Sequence, residues 1–166
     1  MLNYRALNSP GYTMQRPTED RFLMTREELE NKLSVLLAGR AAEKIIFGKL
    51  STGASDDIAK ATDIARSMVT RFGMDATLGE VAYEAPPQTF LTPTQAMRNP
   101  RDYSEETARE IDTAVRQTIG SAEEKARDLL TQHVTALKRG AALLLERETL
   151  LEEDLKALIS LPRAAE

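Results

Sequence analysis

The sequence predicts a mainly α fold in one domain, with a long third helix packed by C-terminal helices and at most a short edge strand. Apolar residues recur at helical spacing of three and four along most of the chain. Capping signals stand in front of these stretches. The chain has 166 residues, of which 42% are hydrophobic, so one core of ordinary size is expected.

The composition excludes several kinds of site. The sequence holds no cysteine, which rules out disulfides, thiolate zinc sites and cysteine nucleophiles. It holds one histidine, His133, so these residues cannot supply two histidine ligands. The net charge of −4 argues against nucleic-acid binding driven by bulk charge, and we expect no nucleic-acid partner.

Residues 1–24 have an irregular pattern with one candidate strand. Gly11–Gln15 alternates polar and apolar residues, and Pro10 and Pro17 bracket it, which favours an edge strand. The sequence shows neither a signal peptide nor an apolar run long enough to span a bilayer. We therefore expect a cytoplasmic chain that makes no membrane contact of its own.

The first helix is expected to start at Thr25, which forms a capping-box pair with Glu28, and to run to about Phe47 before Gly48. Its apolar stripe contains Leu29, Leu33, Leu36 and Leu37.

The second helix is expected to begin near Ser55 or Asp56, with acidic residues in the first turn, and Gly73 is expected to end it. Its predicted buried face contains Ile58, Ala61, Ala65, Met68 and Phe72. Residues 74–103, with four prolines, are expected to be a long irregular connection.

The third helix is expected to be capped by Ser104 and to continue to about Leu137, with further helix to Leu145. Its stripe contains Ile111, Val115, Ile119, Ala122, Ala126, Leu129 and Leu130. Thr149 and Glu152 have capping-box spacing before a last helix through Ile159.

Several strings carry chemical information beyond this pattern. They are Gly11-Tyr12-Thr13-Met14-Gln15, Leu37-Ala38-Gly39-Arg40-Ala41-Ala42-Glu43, Ser51-Thr52-Gly53-Ala54-Ser55-Asp56-Asp57-Ile58, Phe72-Gly73-Met74 and Tyr103-Ser104-Glu105-Glu106-Thr107-Ala108. In this order and spacing, from about Gly11 to about Leu158, the chain closely resembles the peptidase domain of the FtsH family of membrane-anchored, ATP-dependent zinc metalloproteases.

The resemblance implies a mainly helical domain that assembles as a hexameric ring beneath an ATPase ring and acts on polypeptide substrates. It implies zinc held by the two histidines of a His-Glu-x-x-His helix and by an aspartate that matches Asp57, with the fourth position open for water. It also implies that Glu43 lies near the zinc and orients a ligand histidine. Gly11, Tyr12, Thr13, Met14 and Gln15 match the edge strand along which substrate lies.

The sequence departs from the family pattern because it has no His-Glu-x-x-His string. We interpret residues 1–10 as an unrelated leader and residues 11–166 as the peptidase domain without its catalytic helix. The ATPase module, on which ATP would act, and the membrane anchors are absent from this sequence. The chain alone is therefore expected to be inactive and to bind no zinc.

Each site residue has a simpler alternative interpretation. Asp57 either serves only as a favourable negative charge in the first turn of its helix, or it becomes a zinc ligand when another polypeptide supplies the missing helix. Glu43 is either the orienting residue or a solvated charge, and the Gly11–Gln15 strand either binds substrate or frays. His133 is interpreted as a surface or packing residue.

Two functions remain open at this point. The chain is part of an FtsH-type zinc metalloendopeptidase, or it is a non-catalytic interaction protein that joins or inhibits a full-length ring. Apolar surface left on the first two helices predicts a homo-oligomer or a place among ring subunits.

Overall fold

The computed structural model describes residues 2–3, 12–13, 23–84 and 103–160. The described elements are β1 (Leu2–Asn3), β2 (Tyr12–Thr13), α1 (Arg26–Phe47), α2 (Ser55–Thr70), α3 (Glu105–Gln132), α4 (Val134–Arg147), β3 (Thr149–Leu150) and α5 (Glu152–Ile159). The mainly α prediction is confirmed.

Helix α1 begins and ends as its sequence predicts. The Thr25 hydroxyl accepts a hydrogen bond from the Glu28 amide at 3.3 Å, and the Thr25 amide donates to the Glu28 carboxylate at 2.7 Å. These two bonds satisfy amides that have no partner within the helix. At the other end, Gly48 has φ 62°, the left-handed conformation that glycine adopts without strain.

The core lies where α1, α2 and α3 meet. Leu33, Val69 and Ile111, one from each helix, are at most 1% exposed. Alanines on all three helices keep the backbones close; the buried ones include Ala41, Ala61, Ala65, Ala114, Ala122 and Ala126. The burial of these faces supplies most of the stability of helices that would be marginal alone.

Polar contacts border this core on the α1–α3 side. Lys44 near the end of α1 pairs with Glu123 of α3, and the Lys125 ammonium donates to the Asn31 side chain at 2.8 Å. Glu123 is half-buried and the other three side chains are exposed, so these contacts add little to the stability of the fold.

The segment after α2 folds back onto the end of that helix. The Tyr83 amide donates to the Thr70 carbonyl at 2.7 Å, and the buried Thr70 hydroxyl donates to the Glu84 carboxylate at 3.2 Å. The rings of Tyr83 and Tyr103 meet edge to face, with centroids 5.8 Å apart. The contact joins the chain before and after residues 85–102, which lie outside the described residues together with the prolines of the predicted connection.

Three short strands form a small sheet, in which β1 and β2 come before α1 and β3 lies between α4 and α5. The sheet order is β2-β1-β3, and both pairings are antiparallel, with Leu2 opposite Thr13 and Leu150. Strand β2 therefore lies at an edge, as its sequence predicts. The partners β1 and β3 were not predicted, since two residues are too few to show an alternating pattern.

The structure corrects several details of the helices. Helix α3 ends at Gln132, before the predicted Leu137, because His133 leaves helical geometry at φ −112°, ψ 26° and α4 follows it. Leu129 is consequently 50% exposed near the α3 end. Helix α2 ends at Thr70, so Gly73 lies in the following turn and Phe72 is 54% exposed instead of buried.

The predicted Thr149–Glu152 capping box is wrong, because Thr149 belongs to β3. Helix α5 begins at Glu152, and the Leu151 amide donates instead to the Asp154 carboxylate at 3.0 Å.

We expect Gly73→Ala to lower the free energy of unfolding by roughly 2–4 kcal/mol. Gly73 has φ 59°, and a Cβ there would lie 2.9 Å from the Glu80 Cα, so strain and overlap add. Gly48→Ala is the matched control, since Gly48 has a similar φ of 62° but open space around it. Its expected cost is about 1 kcal/mol. Urea denaturation followed by circular dichroism measures both values, and equal costs would contradict the overlap.

Candidate functional site

Asp57 lies in the first turn of α2, where the helix dipole favours negative charge. Asp57 is half-buried, whereas its neighbour Asp56 is exposed. The N-cap residue is Ala54, which is buried and offers no side-chain hydrogen bond to the helix. The position of Asp57 therefore depends on how the segment before α2 is held.

That segment is held by Arg40 and Glu43 of α1 through Ser51, an arrangement that we call the Arg40–Glu43–Ser51 clasp. The Ser51 hydroxyl donates to Glu43 Oε1, and the Ser51 amide donates to Glu43 Oε2 at 3.3 Å. Arg40 Nη1 donates to the Ser51 carbonyl at 2.8 Å and lies 3.6 Å from Glu43 Oε2. The clasp thus connects the C-terminal half of α1 to the turn that leads into α2.

The contacts of the clasp favour the ionised form of Glu43. The hydrogen bond from the Ser51 hydroxyl lowers the pKa of Glu43 below its ordinary 4.5, with further contributions from the Ser51 amide and the Arg40 charge. Glu43 is half-buried and accepts hydrogen bonds from the turn that follows α1. Neither its predicted role of orienting a ligand histidine nor its alternative as a solvated charge is tested by these contacts.

The described residues do not form a metal site by themselves. Among them, no three histidine, aspartate or glutamate side chains come together in a way that would hold a metal ion. A zinc site in a protein normally needs three such ligands. His133, the one histidine of the sequence, lies between α3 and α4 and is half-buried, in keeping with a packing role. The described residues on their own therefore do not supply the three ligands of such a site.

The predicted substrate strand is partly described. Tyr12 and Thr13 form β2, the outer strand of the sheet, and pair with β1 on one side. Gly11, Met14 and Gln15 lie outside the described residues. Among the described residues, the other edge of β2 has no strand partner, and an edge of this kind is where an extended chain adds.

The contacts of Arg40 and Ser51 with Glu43 were not predicted from the sequence. Arg40 and Glu43 are three positions apart on a helix, a spacing that places them on one face. Ser51 gives no comparable signal, because its contact with Glu43 depends on the path of the chain after Gly48.

None of the described helices is long and apolar enough to cross a lipid bilayer.

Comparisons with known proteins agree with the family resemblance. The model of peptidase family M41 matches residues 5–158. The ATP-dependent zinc metalloprotease FtsH 2 of Bdellovibrio bacteriovorus is 50% identical over 155 residues, which cover 93% of this chain and 25% of the relative. The FtsH protease of Paraburkholderia phymatum is 54% identical over 151 residues, covering 90% of this chain and 23% of the relative. The chain thus spans about a quarter of the length of the curated relatives it matches.

We expect Glu43 to stabilise the fold above about pH 4.5 and to lose this effect as the pH falls through its lowered pKa. The difference in unfolding free energy between the natural chain and Glu43→Gln should therefore shrink below pH 4.5. Ser51→Ala should raise the pKa of Glu43 towards 4.5, because it removes the largest cause of the shift. Carboxyl ¹³C chemical shifts measure the pKa directly.

Glu105→Gln, in the exposed first turn of α3, is the control for loss of one carboxylate. A Glu43 pKa that is the same with and without the Ser51 hydroxyl would contradict the described contact.

Proposed function

The chain belongs to peptidase family M41, and on that basis we propose that it forms part of an ATP-dependent zinc metalloendopeptidase of FtsH type. The observation that carries the proposal is Asp57, half-buried in the first turn of α2 at the end of the Ser51–Asp57 string. In this proposal Asp57 is the third zinc ligand. ATP acts on the ATPase module of the whole protease and not on these residues.

The missing ligands come from a His-Glu-x-x-His helix, on the same polypeptide or on another. This requirement follows from the ligand count, because one carboxylate does not hold zinc in the usual three-ligand site. Glu43 then lies on the side of α1 that faces the turn before Asp57. A carboxylate has more acceptor positions than the clasp uses, so Glu43 is able to orient a ligand histidine as well.

The substrate is a polypeptide that adds a strand to the outer edge of β2. Main-chain hydrogen bonds to an exposed edge bind extended chains with little dependence on their side chains. The position of β2 at the edge of the sheet supports this role.

Exposed apolar side chains support assembly with other subunits. Phe47 is 72% exposed and Leu50 is 57% exposed, both at the end of α1 near the clasp. Leu23, before α1, is 87% exposed. Such residues are expected at contacts between subunits, so we propose an oligomer that works at the cytoplasmic face of the membrane with the rest of an FtsH-type ring.

A second candidate function is a non-catalytic protein that joins a full-length ring and inhibits it. It is favoured by the ligand count, since the described residues hold no three-ligand metal group. The two functions differ in one outcome: added to a complete FtsH-type protease, a catalytic part leaves or raises its activity, whereas an inhibitor lowers it.

We expect the chain to cleave casein only together with a polypeptide that carries a His-Glu-x-x-His helix. Asp57→Asn should then lower zinc affinity more than about 100-fold, beyond the loss typical of residues that only orient a ligand. Asp56→Asn is the matched control, because it removes the same charge from the same helix turn. Isothermal titration with zinc and a casein assay measure the two effects.

Equal zinc affinity in the Asp57 and Asp56 variants would contradict the ligand role. Inhibition of a full-length homologue by the chain, without restored cleavage, would establish the second candidate instead.

We expect the chain to self-associate, with a sedimentation mass that is a multiple of 18.4 kDa. Phe47→Ser should weaken association, because it removes the ring from an exposed position. Lys49→Ala, at an exposed position of the same segment, is the control. A folded, monodisperse monomer whose α1 amides are well protected from hydrogen exchange would contradict the proposal.

A further inference from the structure

We propose that Arg40 and Ser51 are positioning residues, which together with Glu43 fix the 51–54 turn against α1 and thereby set the first turn of α2. The proposal extends to the zinc site only if Asp57 is a ligand, and in that respect it rests on the proposed function. The fixing of the turn itself does not depend on a metal.

Helix α2 lacks the usual means of fixing its start. Its N-cap is Ala54, whereas serine, threonine, aspartate or asparagine would bond a first-turn amide. Within the turn, the Ser55 amide donates to the Thr52 carbonyl at 3.2 Å. A helix start of this kind is expected to fray unless the preceding residues are held from outside.

Ser51 supplies that attachment with every polar atom it has. Its amide and hydroxyl donate to the two oxygens of Glu43, and its carbonyl accepts from Arg40. The same hydroxyl oxygen accepts from the Gly53 amide at 3.2 Å, which ties the clasp to the turn. Both the position and the orientation of Ser51 are therefore determined by α1.

The space around the turn is consistent with a fixed conformation. A Cβ on Gly53 would lie 3.3 Å from the Ser51 hydroxyl, closer than most such contacts. At the far end of the turn, Ala54 is 8% exposed and anchors the chain by burial. The turn is thus held by the clasp at one end and by packing at the other.

The clasp is attached to a rigid part of the molecule. Leu37 and Ala41, which flank Arg40 on α1, are 4% and 1% exposed. Arg40 Nη1 donates to the Ser51 carbonyl and lies 3.6 Å from the Glu43 carboxylate, so one cation contacts both partners of the clasp. The turn just before Asp57 is therefore attached to a helix that is itself held in the core.

The first test is hydrogen exchange of the full chain, followed by mass spectrometry on peptides that cover residues 54–58. Ser51→Ala and Arg40→Met should raise the exchange rate there about 3- to 10-fold, the range for loss of one hydrogen bond. Ser51→Thr, which keeps a hydroxyl, should restore slow exchange. Lys49→Ala, an exposed position in the same segment, should change nothing. Unchanged exchange in both Ser51→Ala and Arg40→Met would overturn the proposal.

The second test measures zinc affinity of the complex with a polypeptide that carries a His-Glu-x-x-His helix. Ser51→Ala should lower the affinity about 10-fold, the lower end of the range for residues that orient a ligand, and Ser51→Thr should recover it. Faster exchange with undiminished affinity would overturn the positioning role at the metal. If the natural chain binds no zinc in the complex, the proposed function fails, and the exchange rates alone decide whether the clasp fixes α2.

Discussion

The packing of α1 against α2 and α3 around Leu33 is the constraint on which the rest of the structure depends. Leu33 is fully buried, and the alanines of the three helices allow the backbones to approach closely. With α1 fixed in this core, the Arg40 and Glu43 side chains contact Ser51, just beyond Gly48. Ser51 stands three residues before Ala54, the N-cap of α2.

Burial of apolar side chains and hydrogen bonding therefore affect this structure on different scales, the first across the three helices and the second in one turn. The core determines whether the three helices fold together, since burial of their apolar faces dominates the free energy of folding. The Arg40–Glu43–Ser51 clasp is partly exposed, so its effect on global stability is small and its effect is local. Local fixing of this kind matters where a carboxylate must be held for a ligand, because small displacements weaken coordination.

Helix α1 and the start of α3 could be predicted from the sequence. At both places an N-cap residue, Thr25 or Ser104, precedes apolar residues with helical spacing. The prediction failed at Phe72 and Leu129, which continue an apolar pattern past or near a helix end, because periodicity does not show where a helix stops packing. Strands β1 and β3 form through partners distant in the chain, which no local pattern contains. The Ser51 contact with Glu43 was equally hidden, since it depends on a turn between two helices. The strand that contains β2 was predicted from its alternating residues, whereas the proposed roles of Asp57 in zinc binding and of β2 in substrate binding come from the family resemblance.

In the proposed protease, Asp57 belongs to a zinc centre that a His-Glu-x-x-His helix completes. The most direct measurement captures the native polypeptide from its source cell with an antibody to α3 and determines its intact mass, its zinc content and the peptides captured with it. We expect zinc in near-equal amount to Asp57-bearing chains, together with peptides from a His-Glu-x-x-His segment, on the same polypeptide or on a second one. A zinc-free species of 18.4 kDa that brings down no such segment would contradict the proposal.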